Sequence, residues 1–178
     1  MQPDAPGAGM AERSAGPGVG KPRTKENVVN NTSEHAVKVL NSLIETTLDS
    51  AHGYKEAAES SEDPKFKTLF SERSLKRMKL TGDLQQEVRT FGGEPQDHQS
   101  ILGKAHNKFV DLKAAIMGHD EKAIVTEVER GEDFIKAKFE KVLKDDELPA
   151  NVRSLIDRAF QEIKADHDQA SALKHSLN

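Results

Sequence analysis

The acid at position 132 sits where an acid is costly. Over 123–143, AIVTEVERGEDFIKAKFEKVL, apolar residues recur at helical spacing, and Glu132 falls between Val128 and Phe139 on the helical wheel. A carboxylate in an apolar stripe must be paired, protonated or bound to a cation, because an isolated buried charge is too unfavourable to keep. The same wheel construction brings further polar side chains inward from other segments: Thr47 and Tyr54, Arg73 and Arg77, and Asp166 and His167. Glu162 lies one turn before Asp166.

Two kinds of chemistry fit such a set. A di-iron centre needs about four carboxylates and two imidazoles converging at one level of a helical bundle, usually a lone Glu on two helices and Glu-x-x-His on the other two. This chain falls short of that supply. The 64–91 segment has no His and points two arginines inward, while Glu162 and His167 are five apart instead of three. Asp166 and His167 are neighbours, so their side chains diverge by roughly 100°. The alternative is an interior network in which Arg73 and Arg77 hold Glu132 and Asp166 by charge-assisted hydrogen bonds, with Tyr54 and His167 satisfying the remaining lone pairs. Two guanidinium groups balance two carboxylates without metal, and a metal ion beside two permanently charged arginines would be unfavourable. The metal-binding reading keeps Glu132, Glu162, Asp166 and His167 as ligands, with iron as the cofactor.

The elements that must carry these residues are helical. No alternating strand pattern occurs, and prolines and glycines punctuate the apolar runs. Residues 1–32 are expected to be a disordered tail: the first thirty hold five of the twelve Gly and four of the seven Pro, with no periodic apolar face. Residues 33–178 are expected to form the folded domain. Helices are predicted over about 33–60, 64–91, 123–143 and 149–175, with Asp63-Pro64 as a start signal and Gly92-Gly93-Glu94-Pro95 as a stop. Between the second and third lies a connection of about 25 residues, too long for a simple hairpin, carrying an amphipathic segment over 101–117. The expected fold is therefore all-α: a ferritin-like four-helix bundle, with a helix-containing crossover joining two hairpins.

The chain resembles a bacterial ferritin-like four-helix-bundle family whose members are mostly of unknown function. The resemblance covers about 37–173. It rests on Leu43-Ile44, Gly53-Tyr54-Lys55-Glu56-Ala57-Ala58-Glu59, Glu72-Arg73, Phe91-Gly92-Gly93-Glu94-Pro95, Glu129-Arg130-Gly131-Glu132-Asp133 and His167-Asp168. It implies a ferritin-like bundle, a dimer or larger assembly, and a stress-related or iron-related role by analogy of fold.

Composition narrows the partners. The net charge of -4 gives no support for phosphate-driven nucleic-acid binding, and no apolar run approaches the ~20 residues of a membrane span. The absence of Cys removes disulfides and thiolate chemistry and fits the cytoplasm. Histidines 98, 106 and 119 match no common zinc spacing. Leu75 and Met78, off the main apolar stripe, and Val110 on the crossover point to self-association. The expected protein is a non-enzymatic structural or interaction module that forms a homo-oligomer and needs no cofactor. The competing expectation is a metal-binding carboxylate protein with oxidase or iron-handling activity.

Overall fold

Four helices build the described part of the protein, a computed structural model that describes residues 25–97, 117–118 and 120–177. They are α1 (Lys25–Ser60), α2 (Pro64–Thr90), α3 (Glu121–Leu143) and α4 (Ala150–Ser176), with no strand among the described residues. All but the last residue of the expected crossover helix, and histidines 98, 106 and 119, lie outside the described residues, as do residues 1–24 of the expected tail.

Local chemistry sets the helix ends. Asp63 caps α2 by accepting from the Lys65 amide, with Pro64 in the first turn, where its missing N–H costs nothing. Asp120 caps α3 through the amides of Lys122 and Ala123. At the C-terminus of α2 the Gly93 amide bonds to the Val88 carbonyl and the Gly92 amide to that of Arg89. This pairing needs a left-handed residue, supplied by Gly92 at φ 73°. Gly93 answers a different need: a Cβ there would lie 2.6 Å from Val37 Cγ1, so the chain crosses α1 only without a side chain.

The start of α1 differs from expectation. The helix begins at Lys25, not at Ser33, so residues 25–32 of the expected tail are helical. Val28 and Val29 remain exposed there. Helical turns without a buried face leave no apolar period to read.

Cross-helix contacts fix the topology. His35 meets Asp145 while Glu121 caps the amides of Glu62 and Asp63, so α1 and α3 run antiparallel. Ser74 bonds to Ala51 across α1 and α2, Lys174 to Glu129 across α3 and α4, and Asn151 to Glu87 across α2 and α4. Each neighbouring pair is thus antiparallel, so α2 ends and α3 begins at opposite ends of the bundle.

The interior is divided. One apolar cluster contains Leu40, Leu43, Ile44, Leu84, Val88, Ile135, Phe139, Val152, Ile156 and Ile163. The other contains Tyr54, Ala57, Phe70, Ile124, Val125, Val128 and Ala170. Each helix contributes buried polar residues where it passes from the first cluster to the second: Thr46 and Thr47 on α1, Arg77 and Thr81 on α2, Glu132 on α3 and Asp166 on α4. Phe139 anchors the first cluster with no exposed surface. Replacing it with Ala should destabilise the fold by about 3–5 kcal/mol in chemical denaturation, through lost burial and the cavity left behind.

Candidate functional site

The polar layer is organised by one side chain. Arg77, on the inward line of α2 with Phe70, Leu84 and Val88, is 1% exposed. Its Nη2 donates to both carboxylate oxygens of Glu132, at 2.9 and 3.0 Å, and its Nη1 donates to Asp166 Oδ2 at 3.0 Å. One guanidinium therefore bridges α3 and α4 from α2, using the planar fork that a lysine lacks. The Arg77 Nε finds no acceptor among the described residues.

Around this bridge the remaining groups take graded positions. The phenol of Tyr54 lies on the Glu132 side, and Arg77 Cζ stands 5.9 Å from its ring centre, a cation–π distance. Burial raises the Tyr54 pKa well above its ordinary value, helped by the charge and hydrogen bond of Glu132 and opposed by Arg77. The phenol stays protonated and can donate to the carboxylate. Thr47 and Thr81 turn their hydroxyls back onto the carbonyls of Leu43 and Arg77, satisfying themselves within their own helices.

Asp166 collects three cations. Besides Arg77 it pairs with Arg73, which also donates to Gln169, and with Lys76, whose Nζ is 3.0 Å from Oδ1. Arg73 stands at the edge of the layer with its side chain 13% exposed, not at its centre. Lys76 was invisible to the wheel argument, because its Cα faces about 100° away from Arg77; its long stem carries the ammonium back to the carboxylate. Burial, then repulsion from Arg73 and Arg77, lowers the Lys76 pKa. Arg73 and Gln169 also line a small cleft with Tyr54, Leu69, Phe70, Val125, Val128 and Leu173.

His167 and Glu162 lie elsewhere than expected. His167 belongs to the seam between α3 and α4, with Nε2 2.8 Å from Asp133 and Nδ1 3.0 Å from Asp168. The angular step from Asp166 carries it out of the interior. Burial opposes its protonation, but the hydrogen bonds of Asp168 and Asp133 outweigh that and raise its pKa, with Lys136 acting against them. Glu162 is exposed. The four residues of the metal-binding expectation therefore do not converge: Glu132 and Asp166 share Arg77, and His167 and Glu162 point away. Among the described residues, no group of three or more His, Asp or Glu side chains is placed to hold a metal ion.

Fold and site together define an all-helical protein of four described helices with a buried arginine–carboxylate layer. Residues 35–145, more than half of the chain, match the family model described as Domain of unknown function (DUF2383), and the chain belongs to that family. The match takes in Tyr54, Arg73, Lys76, Arg77 and Glu132 but stops before α4 and Asp166. No curated protein matches the chain. Among the described residues, no helix is long and apolar enough to cross a membrane.

The geometry separates stability from specificity. Arg77→Ala leaves two buried acids without their shared partner and should cost about 3–5 kcal/mol in chemical denaturation. Replacing Arg77, Glu132 and Asp166 together by Met, Leu and Leu should cost far less, or stabilise by about 1–4 kcal/mol. The His167 contacts carry a pH signature of known sign. Because the folded pKa is raised above the ordinary value of about 6.5, the contribution is complete below that pH and is lost as pH rises through the folded value. His167→Gln should therefore destabilise the protein more at about pH 5.5 than at about pH 8.5, measured as unfolding free energy against the parent chain.

Proposed function

We propose that this protein is a non-enzymatic, cytoplasmic bundle of ferritin-like arrangement, a structural or interaction module. In this reading an arginine–carboxylate network fills the level of the interior where related architectures hold metal. The supporting observation is the position of Arg77, whose guanidinium lies between Glu132 and Asp166 and uses three of their four oxygens. Arg73, Lys76 and Arg77 supply three positive charges against two negative ones in the layer. A divalent ion would add to a surplus of positive charge and would first have to displace a group that cannot lose its own.

The antiparallel helix neighbours, with α2 ending and α3 beginning at opposite ends of the bundle, support the ferritin-like arrangement. The family resemblance read from the sequence supports a stress-response setting and assembly of identical copies. Such a layer favours one register of the four helices over its competitors, which suits a module whose surface has to be presented in one geometry.

The test is an anaerobic ferrous iron titration of the purified protein, followed by admission of oxygen and by elemental analysis. The expected outcome is no saturable binding and no oxidation band. Stoichiometric iron that is lost on Glu132→Gln or Asp166→Asn would overturn the proposal.

A further inference from the structure

The outward face of α2 carries a line of uncharged residues on an otherwise highly charged helix. Thr68, Ser71, Leu75, Met78, Gly82 and Gln86 follow one another three or four apart, the spacing of one helix face, and all are exposed. At its centre Leu75 is 71% and Met78 50% exposed, two of the larger apolar exposures among the described residues. The Ser71 hydroxyl is bonded back to the Lys67 carbonyl, so it presents no unmet polar demand. Gly82 is the unexplained member. It lies inside the helix, where glycine is disfavoured relative to alanine, yet it has no positive φ, and a Cβ there would meet nothing within 4 Å. Nothing in the chain's own packing among the described residues calls for a glycine at this point; a close approach from outside would.

We propose that this face joins two copies of the chain through antiparallel α2 helices. The proposal deepens the self-association reading above and rests on it. With the two-fold axis midway between positions 75 and 78, Leu75 meets Met78 of the second copy, and Ser71 meets Gly82, so small residues flank a central apolar contact and let the backbones come close. Charge complementarity selects a second copy as the occupant and antiparallel as its direction. Glu72 and Lys79 border the same side of the line. The twofold operation brings Glu72 of each copy beside Lys79 of the other, making two reciprocal pairs. Glu72 has no ionic partner of its own among the described residues, and Lys79 holds Asp83 at 3.0 Å only across the exposed helix surface. A parallel two-fold arrangement would put this flank of one copy across the interface from that of the other, so neither pair would form. The line runs ~27 Å along the helix, a contact at the small end of specific interfaces, so the dimer should dissociate on dilution.

Sedimentation velocity of the full chain over a wide concentration range reads this directly. The parent chain should pass from dimer to monomer as it is diluted. Leu75→Glu with Met78→Glu should be monomeric throughout, with unchanged helical circular dichroism because both positions face solvent. Gly82→Leu should also be monomeric while raising the melting temperature of the monomer, a pairing of effects that a merely misfolded variant would not give. Glu72→Lys should weaken the dimer by about tenfold, and adding Lys79→Glu should restore it. A dimer indifferent to all of these variants would overturn the α2 surface and leave self-association standing. A monomer at every concentration would overturn both.

Discussion

A guanidinium removed from water between two carboxylates is the constraint to which the rest of this fold conforms. Arg77 has almost no exposed surface, and neither do Glu132 and Asp166. None of the three could be buried singly. Together they tie α2 to α3 and α4 at one level, and Thr47 on α1 completes the layer without adding charge. The apolar interior is consequently two clusters separated by a polar floor instead of one continuous core.

That division restricts how the helices can slide. If α2 moved by one turn, Arg77 would face Ile135 and Ile163 on one side or Val128 and Ala170 on the other, all of them buried apolar positions. A charged group in either cluster costs several kcal/mol, whereas a one-turn slip of purely aliphatic stripes costs far less. The network therefore contributes to the choice among packings more than to the depth of the chosen one. The outer contacts supplement it at the ends: His35 with Asp145 near one end, and Glu121 capping the α1–α2 turn at the other.

Much of this was legible in the sequence, for identifiable reasons. Glu132 stood out because its neighbours at helical spacing are apolar, and Arg77 and Asp166 because each interrupts a similar stripe. The starts of α2 and α3 were written in Asp63-Pro64 and Asp120. What escaped was set by reach and by edges. Lys76 arrives at Asp166 from the border of the layer, and a wheel built on Cα directions cannot see where its four-carbon stem ends; Arg73, expected inward, pairs with Asp166 from the edge. His167 is expected inward together with Asp166, but one helical step from Asp166 turns it to Asp133. Val125, seven residues before Glu132, also joins the interior of α3, whereas Gly131 is exposed. The first turns of α1 buried nothing and so left no period.

The central claim is that a side chain, and not an ion, holds the level between Glu132 and Asp166. Crystals soaked anaerobically in ferrous iron, with anomalous difference maps collected at the iron edge, test this most directly. The account predicts an empty map between the two carboxylates, with the Arg77 guanidinium in density against both. An anomalous peak within bonding distance of Glu132 and Asp166, with Arg77 displaced toward solvent, would contradict it.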